Sequence, residues 1–313
     1  KAKLMEIVTK NELLKKELLD LEKEVNEDFQ KFLENGYDSL FTLIGKDNPA
    51  LITRVLDYIC FLGSKKPKCL IVIDGMNYWQ SLLLVDKLKE HNIQCTQKFT
   101  MAYIPTITAY SRQALLKGNR PNLNEDNSKE ENLFKEYWKN KKTSNAAIGY
   151  IKSDINKESK IDDLSDIIRF LAIVNNDLDT VMHSVTLGNK ELFSSTNEWL
   201  AQTTLLNDIE QLQKKDYNIF ITTDHGNIEA KGIKKLKSDD KVGTPSKGKR
   251  HLVFYDEELK DIFIKTNKEF NLGEKNNSVY IKDYGAFETK DEKIITHGGG
   301  HFWEVVIPFI EIN

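Results

Sequence analysis

The sequence predicts an α/β fold: a mainly parallel sheet covered by helices on both faces, preceded by an N-terminal helical segment. Three observations predict it. Cys69-Leu70-Ile71-Val72-Ile73, Phe170-Leu171-Ala172-Ile173-Val174 and Ile219-Phe220-Ile221-Thr222 are short apolar runs, as expected of strands buried on both faces. Stretches of helical periodicity alternate with them, the pattern of parallel strands joined by crossover helices. Each run also stops at an acidic residue: Asp74, the Asp177/Asp179 pair and Asp224. Open α/β sheets place their chemistry just beyond the carboxyl ends of their strands.

The elements follow in order. From Lys3 to Leu33, Leu4, Leu14, Leu18, Leu21, Val25, Phe29 and Phe32 recur at helical spacing among Lys and Glu, which predicts one amphipathic helix. It packs on its own domain or on an upstream one, and a dimerising coiled coil is the sharper alternative. Gly36 and the turn at Gly45-Lys46-Asp47-Asn48-Pro49 punctuate it, and Ala50 to Leu62 reads as a second helix. Residues 1–66 are thus a helical segment or a linker from an upstream domain, which the opening on Lys1 rather than Met leads us to expect.

The α/β domain spans 67–313. After the strand ending at Asp74-Gly75, Trp79 to Lys89 reads as a helix and Gln97 to Ile104 as a strand. Pro105-Thr106-Ile107-Thr108 leads into a helix from Tyr110 to Leu116, closed by Gly118. Residues 119–145 are polar and charge-dense, an excursion from the core with a short helix near Leu133 to Trp138. A strand from Ala146 to Ile151 and a helix from Ile161 to Ile168 follow. Lys190 to Lys214 reads as one long helix before the strand that ends at Asp224. A basic, glycine-containing loop fills Lys231 to Lys249; then come a strand from His251 to Tyr255, a helix from Asp256 to Lys265, and a strand-rich tail from Val279 to Ile312.

The totals narrow the function classes. A net charge of −3 over 313 residues gives no global attraction to nucleic acid, so such binding needs a local patch. Cys60, Cys69 and Cys95 lack metal or disulfide spacing, which suits a reducing, cytoplasmic compartment. No long apolar span argues for a membrane.

Histidines gather at the acidic strand ends. Asp179 and His183 are four residues apart, on one face of a helix that starts there. His225 adjoins Asp224, and His297 precedes Gly298-Gly299-Gly300. Singly, Asp74 could be a helix cap, His183 a core or surface histidine and His297 part of a turn. Together, carboxylates and imidazoles suit zinc or another divalent transition ion better than calcium. Thr106 and Thr108 stand at a helix start, where a hydroxyl can act as a nucleophile or serve as an N-cap.

Ile73-Asp74-Gly75, Pro105-Thr106-Ile107-Thr108 with Ala114 to Gly118, Asn176-Asp177-Leu178-Asp179 with His183, Thr223-Asp224-His225-Gly226, and Thr296-His297-Gly298-Gly299 with Glu304-Val305-Val306-Ile307-Pro308 follow one another in order. This series resembles the PglZ domain of the alkaline phosphatase superfamily, from about Leu70 to the C-terminus. The resemblance implies a two-metal phosphodiesterase or nuclease-type hydrolase with a Thr nucleophile. It assigns Asp74, Asp224 and His225 to one ion, Asp179, His183 and His297 to the other, and the nucleophile to Thr108, with Thr106 as the alternative. It also implies a role in bacterial phage defence of the BREX type or in signalling, on nucleotides or nucleic acid, with defence-complex subunits as partners. A catalytically weak scaffold in such a complex is the competing reading, with the N-terminal helix as an oligomer contact.

Two departures stand out. Met76 and Asn77 follow Asp-Gly where many relatives have a small residue and an arginine, and Asn77 is expected to donate to a phosphoryl oxygen instead. His301 stands where the family more often has Ser or Thr, as a competing ligand or a group supporting one. Lys231, Lys234, Lys235, Lys237, Lys241, Lys247, Lys249 and Arg250 leave the Asp-His-Gly turn as a basic loop. Lys247, Lys249 and Arg250 are the candidates to hold substrate phosphates.

Overall fold

The computed structural model describes residues 1–43, 45–153, 159–236 and 248–313. Two helices, α1 (Ala2–Val8) and α2 (Glu12–Asn35), replace the single N-terminal helix the periodicity predicts. Asn11 makes the break: its side chain accepts from the amides of Leu13 and Leu14 and caps α2. The face that α2 turns inward is polar, with Glu22, Asn26 and Gln30 buried, while Leu21 and Val25 face solvent. Asn26 donates to the carbonyl of Lys282 (2.9 Å) and Gln30 to that of Gly300 (2.8 Å), so the segment packs on its own domain. Helix α3 (Val55–Phe61) joins Leu40, Phe41, Leu51 and Ile52 in the core beneath the sheet.

The main body then builds in order: β1 (Lys68–Ile73), α4 (Tyr78–Glu90), β2 (Cys95–Met101), α5 (Thr108–Lys117), α6 (Glu130–Asn140), β3 (Ile148–Ser153) and β4 (Phe170–Asn175). It continues with α7 (Asp177–Ser184), α8 (Asn189–Gln202), α9 (Leu205–Lys214) and β5 (Asn218–Thr222). After β5 come β6 (Ile228–Gly232), β7 (His251–Val253), α10 (Glu257–Thr266), β8 (Leu272–Lys275) and β9 (Ser278–Ile281). The chain ends with β10 (Gly285–Ala286), β11 (Lys293–Thr296), α11 (Phe302–Val305) and β12 (Val306–Ile312).

The six-stranded sheet has the order β2-β12-β5-β1-β4-β3. Strands β5, β1, β4 and β3 pair in parallel, and β12 inserts antiparallel between β5 and β2. All of β1 is buried because its side chains alternate between two cores. Leu70 and Val72 meet α3, α5 and α6 on one face, while Cys69, Ile71 and Ile73 meet α4, α8 and α9 on the other. This is the helix-covered, mainly parallel sheet the sequence predicts.

Three local expectations need correction. The helix predicted from Lys190 to Lys214 is two, α8 and α9, because Thr203 turns extended and its hydroxyl accepts from the Leu205 amide (3.3 Å). Ile161 to Ile168 is no helix but two successive turns, closed by Leu164 N–Ile161 O (3.2 Å) and Ile168 N–Ser165 O (3.0 Å). Its Asp and Ser residues favour such turns over continuation. The polar insertion does not leave the core entirely: α6 buries Phe134, Tyr137 and Trp138, and the Trp138 ring stacks on Phe170 of β4 with centroids 3.6 Å apart.

The C-terminal third adds two three-stranded sheets, β10-β6-β11 and β7-β9-β8. With α10 they enclose a smaller core of Phe254, Phe263, Phe270, Val279, Ile281 and Phe287. Among the described residues no helix is long and apolar enough to cross a membrane.

Candidate metal centre

Strand register sets the site. β1 and β5 pair with Val72 opposite Thr222, so the chain segments that leave them carry Asp74 and Asp224 side by side. Gly75 takes φ +70 at the turn and donates its amide to Asp224 Oδ1 (3.2 Å), which the His225 amide also reaches (3.0 Å). At Gly226 a Cβ would come within 2.0 Å of the Trp303 carbonyl, so glycine there lets the Asp-His turn lie against α11. Beyond β4, α7 places Asp179 and His183 one turn apart, with His183 Nε2 3.2 Å from Asp179 Oδ1. His297 enters from the loop after β11.

These side chains form two groups. In Asp74, Asp224 and His225, and again in Asp179, His183 and His297, one candidate ligand atom from each residue lies within 4.8 Å of the others. The His225 and His297 rings join the groups, stacked at 4.1 Å between centroids and 12° between planes. Both rings have a fixed tautomer: His225 Nδ1 donates to the Gly226 carbonyl and His297 Nδ1 to that of Thr106, each at 3.0 Å. With Nδ1 so used, each ring presents Nε2 as the atom that could bind a metal, the arrangement metal-binding histidines use.

A divalent cation fits this donor set. Asp74 Oδ1 is buried and has no hydrogen-bond partner among the described residues, an acceptor that awaits a cation. Carboxylate and imidazole together suit zinc. Burial pushes the Asp74 carboxyl up to about 7; the Arg112 guanidinium opposes this and the Asp224 charge adds to it. Burial works on Asp224 in the same direction, but the charges of His225 and Arg112 outweigh it and hold the carboxyl below its ordinary 3.8. His225 is drawn upward because Asp224 and Asp74 overcome its burial, whereas burial and then the neighbouring His225 charge push His297 well down.

Thr108 is the first residue of α5, and its hydroxyl lies 3.0 Å from His225 Nε2. Thr106 is fully buried and committed elsewhere: its hydroxyl donates to the Gly299 carbonyl (2.8 Å) and accepts from the Gly298 amide (3.2 Å). It holds the His297 loop.

The remaining sequence candidates are placed as follows. Asn77 does not face the site: its Oδ1 caps α4 through the Trp79 and Gln80 amides, and its amide nitrogen donates to Asn227. Arg250 is fully buried, paired with Glu304 and donating to the carbonyls of Gly285, Ile281 and Asp283, so no substrate phosphate reaches it. His301 belongs to neither ligand group; it caps α11 by accepting from the Trp303 amide and packs on Phe302 and Tyr284. Lys249 is exposed, while Lys237, Lys241 and Lys247 lie outside the described residues. Lys231, Lys234 and Lys235 pair with Asp291, Glu269 and Glu288.

The sequence reading missed Arg112 and Asn227. Arg112 is buried beside both carboxylates of the first group. Its signal was its place four residues after Thr108, on the same helix face. Asn227 donates to the Gly75 carbonyl and to Gln80 Oε1, each at 2.8 Å, and so fastens together the turns that carry Asp74 and Asp224.

The model of one protein family, described as the BREX system PglZ alkaline phosphatase-like domain, matches residues 54–312. Among solved structures, an inactivated variant of murine ectonucleotide pyrophosphatase/phosphodiesterase 5 in complex with AMP is 12% identical, with a TM-score of 0.51. The match covers 79% of this chain and 88% of that one. The human protein of the same name is 13% identical, with a TM-score of 0.53 over 78% of this chain and 87% of its own. At that identity the likeness is one of fold. No curated protein sequence matches the chain.

Proposed function

Because the chain belongs to the BREX system PglZ alkaline phosphatase-like domain family, we propose that it is a two-metal phosphodiesterase acting on nucleotides or nucleic acid in bacterial phage defence. The observation that carries this reading is the Thr108 hydroxyl at the N-terminus of α5, 3.0 Å from Nε2 of His225, whose ring stacks on His297 of the second ligand group. Asp74, Asp224 and His225 would hold one divalent cation and Asp179, His183 and His297 the other, zinc being the ion their chemistry favours. Bound there, the two cations would supply Lewis-acid stabilisation of charge on the phosphoryl oxygens and make the threonine hydroxyl more acidic.

The chain's own groups do the rest. Thr108 Oγ1 gives up its proton to solvent and attacks phosphorus in line; the P–O bond opposite breaks, and the departing alkoxide takes a proton from water and leaves as the alcohol. The α5 amides favour the phosphoryl group at the helix N-terminus. Water then attacks the phosphothreonine and restores the hydroxyl. The murine relative is inactive with one threonine replaced by alanine and is in complex with AMP, which supports a catalytic threonine and a nucleotide ligand.

The test is hydrolysis of bis-p-nitrophenyl phosphate by the zinc-loaded chain. Thr108→Ala should lose roughly a thousandfold or more in kcat, the scale of removing a nucleophile, with unchanged zinc content. Activity that survives Thr108→Ala rules out this nucleophile. Faster cleavage of the corresponding monoester would make the protein a monoesterase.

A second reading, a binding subunit of a defence complex in the cytoplasm, is favoured by one observation. Met5, Val8, Leu13, Leu21 and Val25 are exposed apolar residues on α1 and α2. That surface suits a partner subunit or a second copy of the chain, and it is compatible with an intact metal centre.

A further inference from the structure

We propose that Arg112 is the positioning residue of the first ligand group and that Glu130 ties the insertion helix α6 to it. This rests on the two-ion reading above. Arg112 is 2% exposed and lies on α5, one turn beyond Thr108. Its guanidinium contacts Asp74 Oδ2, and its Nε and Nη2 both donate to Asp224 Oδ2 at 3.2 Å. On the opposite edge, Nη1 donates to Asn176 Oδ1 (2.9 Å) and Glu130 Oε1 (3.3 Å). Every edge of the planar fork is in use.

The contact selects which oxygens remain. With Asp74 Oδ2 on the guanidinium, Asp74 Oδ1 is the atom turned toward His225 Nε2, 3.8 Å away, and it has no hydrogen-bond partner among the described residues. The same contact joins the loops after β1 and β5 to the helix that carries Thr108. Three carboxyl groups, Asp74, Asp224 and Glu130, surround this one guanidinium, so a single arginine organises all of them. A lysine could supply the charge, but its compact ammonium lacks the fork that addresses two carboxylates at once.

Glu130 is itself fixed. It is 1% exposed and accepts from Asn127 (2.6 Å) and from the Tyr150 hydroxyl of β3 (2.6 Å). The insertion is therefore connected to the metal centre through one side chain, although α6 contributes no ligand. Groups that orient metal ligands in this way are typically worth roughly 10- to 100-fold in metal affinity.

The experiment is calorimetric titration of the metal-free full chain with zinc in a competing chelator. Wild type should bind two ions. Arg112→Met should bind one at wild-type affinity and the other roughly 10- to 100-fold more weakly. The ion retained also shows that the variant folds. Arg112→Lys should fall between the two, and Glu130→Gln should weaken the same ion by less than Arg112→Met does. Wild-type affinity at both sites in Arg112→Met, or in Arg112→Lys, overturns the proposal. If Arg112→Met fails to fold, the lysine and Glu130→Gln variants decide it. A wild type that binds fewer than two ions removes the two-ion reading itself, and this inference with it, before any variant is compared.

Discussion

Each imidazole that joins the two ligand groups is oriented by a backbone carbonyl, His225 by Gly226 and His297 by Thr106. The six ligand candidates were legible in the sequence because each is a charged or imidazole residue at a strand end or one helical turn from it. The resemblance already prefers Thr108 to Thr106, and in three dimensions Thr106 spends its hydroxyl on the Gly298-Gly299 backbone. Arg112 escapes notice in the sequence, and Arg250 looks available to a substrate, for one reason: sequence shows a charge but not the carboxylates that bury it. His251 lies outside both ligand groups and yields a prediction. Burial, aided by the His225 charge, pushes it down from 6.5 to about 3. A histidine neutral in the folded state and protonated in the unfolded one contributes stability above pH 6.5 that is lost as pH falls toward 3. The urea midpoint of wild type should decline over that window, and the non-titrating His251→Gln should decline less; parallel curves would contradict the assignment.

At the scale of elements, the strands were the most readable feature. A strand buried on both faces needs an apolar interior, and β1, β4 and β5 have one, with polar residues only at their ends. Helix ends were less readable, because single polar side chains decide them: Asn11 divides α1 from α2, and Thr203 divides α8 from α9. The insertion is polar overall, but three aromatic residues at helical spacing, Phe134, Tyr137 and Trp138, decide where α6 goes. Truncation of Trp138 to alanine should therefore cost about 3–5 kcal/mol, as for a core aromatic. A peripheral helix would give a small change in the urea midpoint instead.

At the scale of the molecule, the crossover order brings the loops after β1, β4 and β5 to one edge of the sheet, and the tail returns through β11 and β12 to add His297 and fill the gap between β2 and β5. The parallel character of the sheet followed from alternation along the chain; the antiparallel insertion of β12 did not, because nothing local encodes a partner so distant in sequence. The basic loop changes most in weight. Three of its lysines pair with Asp291, Glu269 and Glu288, and Arg250 is internal, which leaves Lys249 as the described residue able to meet a phosphate backbone. Lys249→Glu should raise KM for a single-stranded oligonucleotide several-fold more than for a small aryl phosphodiester, with the excess shrinking as salt rises. Equal effects on both substrates would argue against a polymeric substrate. The central claim is that two ions sit around Thr108, and anomalous diffraction at the zinc edge from zinc-soaked crystals tests it most directly. The account predicts two peaks, one among Asp74, Asp224 and His225 and one among Asp179, His183 and His297, both beside the Thr108 hydroxyl; a single peak, or peaks away from these six side chains, would contradict it.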